Sequence, residues 1–154
     1  MIKKKIFKLF LIFFVTSCSY QPIYSNKNIL NYEIKEISLL GDKRISKQII
    51  TLLNIKKNTN EESGKTFSIE SRVNKKVTSK DSSGNTLMYE KFVELRLAIM
   101  DGNGNSEKNK IFYANFTYPN KDNKFDLSEY EKIVEINLIQ SITEQMRVFL
   151  SIQK

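Results

Sequence analysis

The chain contains no histidine and a single cysteine, Cys18. Without histidine it lacks the usual general base at neutral pH and the commonest metal ligand, and Ser-His-Asp and Cys-His catalysis are excluded. One cysteine cannot form an internal disulfide, a CxxC redox pair or a multi-thiolate metal site. Tryptophan is absent, and two prolines and five glycines are too few for a repetitive or low-complexity chain. Long apolar runs are also missing. The longest, Leu9 to Val15, falls well short of the ~20 apolar residues that a spanning helix needs.

That run sits in a telling context. Met1-Ile2-Lys3-Lys4-Lys5 is a basic start, and Val15-Thr16-Ser17-Cys18 closes the run with two small residues before the only thiol. This is the layout of a bacterial secretory signal ending in a lipobox. It predicts a signal peptide over 1–17, with Cys18 as the acylated first residue of the mature chain. Residues 18–31, with Pro22 and three asparagines, read as a tether, and 32–154 as one domain. The 137 residues from Cys18 onward are enough for one real core. Lys3, Lys4, Lys5 and Lys8 all lie in the signal, which has no acid, so the net charge falls from +8 to +4 in the mature chain. Nucleic-acid binding thereby loses most of its electrostatic support. Two or three acyl chains, each methylene adding ~0.8 kcal/mol on burial, would hold the domain to a membrane. Ser19 follows the cysteine where an Asp would resemble an inner-membrane retention signal, which favours the outer membrane on its periplasmic side.

Element signals follow in a simple order. Tyr32 to Leu40 reads as a strand of imperfect alternation, because Ile34 and Ile37 differ in parity, and Gly41 ends it. Asp42 is placed to cap a helix with Ile45, Ile49, Leu52 and Leu53 on one side, ending near Ile55. Phe67, Ile69 and Val73 alternate with polar residues, as do Val93, Leu95, Leu97 and Ile99. Asp81-Ser82-Ser83-Gly84 and Asp101-Gly102-Asn103-Gly104 are turns. A strand over 111–118 puts Phe112, Ala114, Phe116 and Tyr118 on one face, and Pro119 stops it. Asp126, with Glu129 as its capping-box partner, opens a long helix striped by Leu127, Tyr130, Val134, Leu138, Ile142, Met146 and Phe149. Ile133, Ile139 and Leu150 widen that stripe, and Glu131 and Lys132 lie off it. The order β-α-β-β-β-α predicts an α+β, two-layer fold with both helices on one face of a mainly antiparallel four-stranded sheet. Glu94, Arg96, Tyr113, Asn115 and Thr117 then point away from the helices. Such residues suit either a wet surface or the inside of a polar cavity.

Cys18-Ser19-Tyr20-Gln21-Pro22-Ile23-Tyr24 resembles the C-G-F-Q-P-L-Y start of mature LPS-assembly lipoproteins of the LptE (RlpB) family, with Ser19 and Tyr20 in place of Gly and Phe. Arg44 and Gln48 before Leu52 and Leu53 resemble that family's first helix. Leu87 to Asn105 resembles its central hairpin, and the Tyr118 to Glu131 loop with the closing helix resembles its C-terminal third. The resemblance implies an outer-membrane lipoprotein, neither an enzyme nor in need of a cofactor or metal. It further implies a plug in the lumen of the LptD β-barrel, supporting lipopolysaccharide delivery to the outer leaflet. Arg72, Lys75, Lys76 and Lys80 would be candidates to meet lipid A phosphates by charge-assisted hydrogen bonds; an ordinary solvated hairpin in a Lys-rich chain is the simpler account of them. The second reading is an auxiliary lipoprotein of a phospholipid-trafficking ABC system. A glycosidase would need a paired acid and base across a cleft, and Glu94 and Asp101 fit surface and turn roles instead.

Overall fold

A computed structural model of the chain describes residues 34–57 and 64–152. The signal peptide, Cys18, the tether and the first two residues of the expected domain lie outside the described residues. Four strands and two helices follow in the expected order: β1 (Ile34–Gly41), α1 (Lys43–Leu53), β2 (Lys65–Lys80), β3 (Thr86–Met100), β4 (Ser106–Pro119) and α2 (Lys124–Ile152). The sheet order is β1-β2-β3-β4. β1 runs parallel to β2, and the two hairpins β2-β3 and β3-β4 are antiparallel. The fold is therefore α+β with a mixed, mainly antiparallel sheet. α1 packs on β1 and β2, α2 on β3 and β4, and the helices touch each other. Their buried side chains join those of the sheet in a single core cluster.

The uneven alternation of β1 has a local cause. The register with β2 slips between Ile34 and Glu36, leaving Lys35 as an extra residue. This bulge lets Ile34 and Ile37, of opposite parity, both reach the core.

Gly41 is demanded twice over where β1 hands the chain to α1. Its φ is +68°, and a Cβ there would stand 2.2 Å from the Ser71 carbonyl oxygen. The close approach serves a buried junction. The Asp42 amide donates to that carbonyl at 2.8 Å, the Ser71 hydroxyl donates to the Asp42 carbonyl at 2.6 Å, and Ser46 and Ser71 share a hydroxyl bond of 2.8 Å. Gly41→Ala is accordingly expected to cost roughly 3 kcal/mol, because backbone has to move as well as twist. Gly84→Ala and Gly104→Ala, with positive φ but open space, should cost only about 1 kcal/mol. Urea midpoints of the three variants check the ranking; equal shifts would contradict the close-approach account.

Asp42 caps α1 as its sequence predicts, its carboxylate accepting from the Arg44 and Ile45 amides. The far end lies two residues earlier than expected. Asn54 takes the left-handed conformation (φ 54°) and donates its amide to Thr51, while the Ile55 amide reaches back to Ile50. This 6→1 and 5→2 pair is a Schellman motif, and buried Ile55 beside half-buried Ile50 supplies its hydrophobic contact. Leu52 falls off the buried side and is 43% exposed, because Ile45, Ile49 and Leu53 already face the sheet.

The cap of the long helix lies three residues before the expected one. Asn123 accepts the Phe125 amide on its side chain and the Leu127 amide on its carbonyl, so Asp126 sits in the first turn rather than at the cap. Its charge there complements the helix dipole. Leu127, Val134, Leu138, Ile139, Ile142, Met146 and Leu150 are buried as expected, and Tyr130 and Phe149 pack at the margin. Ile133 instead is 55% exposed, and Phe116, on the core side of β4 by parity, is 48% exposed. Both border a groove where the helix stands off the outer edge of β4.

Candidate interaction surface

Among the described residues no helix covers one side of the sheet, and strand parity decides what that side shows. β2 contributes Glu70, Arg72 and Lys76, β3 contributes Glu90, Phe92, Glu94 and Arg96, and β4 contributes Tyr113, Asn115 and Thr117. Register sets Glu70 opposite Arg96 and Arg72 opposite Glu94. Along the strands Arg72 bonds Glu70 at 2.5 Å and Arg96 bonds Glu94 at 2.9 Å. Each arginine thus lies between two carboxylates, and the checkerboard carries no net charge. Beside it the rings of Phe92 and Tyr113 meet at 5.7 Å. Lys76 pairs with Glu90 at 2.6 Å, and the Asn115 amide donates to the same carboxylate. Hydrogen bonds from Lys76 and then Asn115 hold the Glu90 carboxyl below its ordinary value. The surface is polar, aromatic and internally neutralised.

The four basic residues singled out in the sequence do not converge. Arg72 and Lys76 share the open face, each already paired with a carboxylate. Lys75, between them on the strand, points to the helix side, bonding Glu131 at 2.9 Å and lying 4.6 Å from the Tyr89 ring centroid. Lys80 ends β2, beyond the register shifts that follow Val77.

The helix side holds a network that sequence periodicity missed. Lys75 and Lys91 stand directly opposite each other in the β2-β3 register, a repulsive arrangement on its own. Glu131 and Glu135, one turn apart on α2, resolve it: Glu131 takes Lys75, and Glu135 takes Lys91 at 2.6 Å. Glu135 also takes Arg44 of α1 at 2.7 Å, so one carboxylate ties both helices to the sheet. Burial pushes the Glu135 carboxyl up, but hydrogen bonds from Lys91 and Arg44 outweigh it and hold the carboxyl below its ordinary value. Glu131 is therefore no idle off-stripe residue. It also lies beside the buried Tyr118 hydroxyl, which burial pushes well above the usual phenol range with the neighbouring carboxylate adding to the effect. The signal available in the sequence was the i, i+4 glutamate pair itself, facing two lysines of matching parity.

The two hairpin turns share one construction. Asp81 accepts from the Ser83 and Asn85 amides at 2.9 and 2.8 Å, and Asp101 accepts from Asn103 and Asn105 at the same two distances. Bonds from Asn85 and Asn105 hold these carboxyls low, and both residues serve turn structure. Among the described residues, no group of three or more acidic side chains forms a metal-binding cluster, and no helix is long and apolar enough to cross a membrane.

A two-helix, four-stranded fold of this kind is shared with bacterial lipoproteins. The chain superimposes on rare lipoprotein B from Shewanella oneidensis with a TM-score of 0.56 and 15% identity, over 77% of this chain and 96% of that one. A minor lipoprotein from Acinetobacter baumannii gives 0.64 and 13%, over 79% and 92%. Lipoprotein B from Nitrosomonas europaea gives 0.58 and 17%, over 78% and 85%. No protein-family model matches the chain, and no curated protein matches it in sequence.

Proposed function

We propose that this chain is an outer-membrane lipoprotein of the LptE type, anchored on the periplasmic side through acylated Cys18. In this reading it assembles with an LptD-type β-barrel and supports delivery of lipopolysaccharide to the outer leaflet. The observation that carries the reading is the fold shared with rare lipoprotein B over nearly all of that protein. The lipobox and the C-S-Y-Q-P-I-Y start add to it. The neutral, hydrogen-bonding sheet face suits a water-filled barrel lumen, where polar side chains line the interior. Residues 1–17 are then the signal peptide, 18–31 the tether and 32–154 the working domain.

A tagged copy extracted from membranes in mild detergent is expected to retain a large β-barrel, and its intact mass to begin at Cys18 with acyl chains attached. Depletion is expected to lower assembled barrel and raise outer-membrane permeability. Recovery of an inner-membrane ATPase complex in place of a barrel would move the chain to the phospholipid-trafficking reading. Of Arg72, Lys75, Lys76 and Lys80, the proposed contacts for lipid A phosphates are Arg72 and Lys76, which share the open face, whereas Lys75 faces the helices and Lys80 lies at the strand end. Each would exchange its carboxylate for a phosphate. Arg72→Gln with Lys76→Gln should then weaken lipopolysaccharide binding without releasing the barrel, and unchanged binding would remove these residues from the site.

A further inference from the structure

β4 is an outer strand of the sheet, and among the described residues no strand pairs with its far side. Such an edge is normally protected by charge, proline or shortness. β4 is 14 residues long, and its stretch from Ile111 to Tyr118 has no charged residue and no proline. The Tyr113 carbonyl accepts from the Gln145 side chain of α2 at 3.3 Å. That carbonyl faces away from β3, so by strand geometry the amides and carbonyls of Ile111, Asn115 and Thr117 face the open side as well. Beside them runs a groove of about 450 Å³ between β4 and α2, floored by Ala114 and Leu138 and walled by Phe116 and Ile133.

We propose that this edge pairs antiparallel with β4 of a second copy, about a twofold axis through Asn115. In that register Asn115 meets its own counterpart and Tyr113 meets Thr117, each as a hydrogen-bonded pair using the outward groups. Ala114 meets Phe116 on the helix side, so each half-exposed Phe116 ring covers the other copy's Ala114 at the groove floor. No charges oppose each other along the uncharged stretch, and beyond it Lys108 comes near Asp122 of the other copy. Shifting the axis to Ala114 would set Phe116 against Phe112, which is already buried. Gln145 swings aside as its acceptor is taken over.

The proposal stands apart from the barrel reading, since it is scored on full-length lipoprotein purified alone. Single Asn115→Cys, Tyr113→Cys and Thr117→Cys chains are treated with a short bifunctional thiol cross-linker, and the parent chain, which keeps Cys18, sets the background. All three positions are exposed, so the substitutions leave the core untouched. Asn115→Cys is expected to give roughly tenfold more dimer than either other single variant, because its partners lie about 5.5 Å apart against about 14 Å for residues two places off the axis. Mixing Tyr113→Cys with Thr117→Cys chains should restore dimer. Background-level cross-linking at Asn115→Cys, or equal cross-linking by all three single variants, would overturn the proposal.

Discussion

Ile142→Ala is expected to destabilise the domain by ~2–5 kcal/mol, and Leu138→Ala by a similar amount. Ile142 is fully buried and Leu138 nearly so, at the middle of a 29-residue helix whose buried side meets β3 and β4. Truncation there removes apolar contacts and leaves a cavity, because the sheet beneath is held in register by two antiparallel hairpins and cannot close on it. Ile133→Ala and Ile136→Ala remove comparable side chains from the same helix, but these are 55% and 46% exposed, so each should cost under about 1 kcal/mol. Denaturant midpoints of the four variants check the contrast. A large loss at Ile133 or Ile136 would mean that the helix is rotated about its axis relative to the sheet.

The same contrast shows which parts of the fold periodicity discloses. Burial of Val93, Leu95, Leu97 and Ile99 followed from strict alternation on a strand with neighbours on both sides. Phe116 obeys the same alternation yet stays half exposed, because among the described residues β4 has a neighbour on one side only and α2 leaves a groove there. Parity tells a residue's face but not whether that face is covered, which depends on strand order. Ile133 fails for the matching reason from the helix side. Helix ends were set by bonds that periodicity does not encode: Asn123 outcompeted Asp126 as cap, and Asn54 closed α1 by adopting a left-handed backbone. The basic run on β2 was legible as composition only. Alternation splits Lys75 from Arg72 and Lys76, and their carboxylates come from three places: Glu131 on α2 for Lys75, Glu70 on β2 itself for Arg72, and Glu90 across the register on β3 for Lys76. The polar face of the sheet, by contrast, was readable residue by residue from 94 to 117, since it needs nothing beyond the two hairpins.

The carboxylate that those patterns hid carries the other large effect. Glu135→Gln is expected to cost on the order of 3 kcal/mol, or about 10 °C in Tm, by leaving the Lys91 ammonium buried without its counter-charge, with the Glu131 carbonyl still accepting from it at 3.3 Å. The two side chains are only 15% and 12% exposed, so water cannot take over the lost bond. Arg44→Met should cost much less, because the Arg44 side chain is 60% exposed and its loss leaves the Glu135-Lys91 bond intact. The penalty belongs to the stranded charge rather than to the pair. Replacing both partners together, with Glu135→Leu and Lys91→Met, should therefore recover most of the loss. The pH dependence has a definite sign. Glu135 is held below its ordinary value of 4.5 in the folded chain, so its contribution is complete above that value and is lost as pH falls through the lower folded one. Melts of the parent chain should accordingly weaken below about pH 4.5, and the Glu135→Gln chain should lose less over that interval because its deficit is already present at neutral pH. Identical pH profiles for the two chains, or no recovery in the double variant, would show that the link from α1 through Glu135 to β3 does not hold the two layers together.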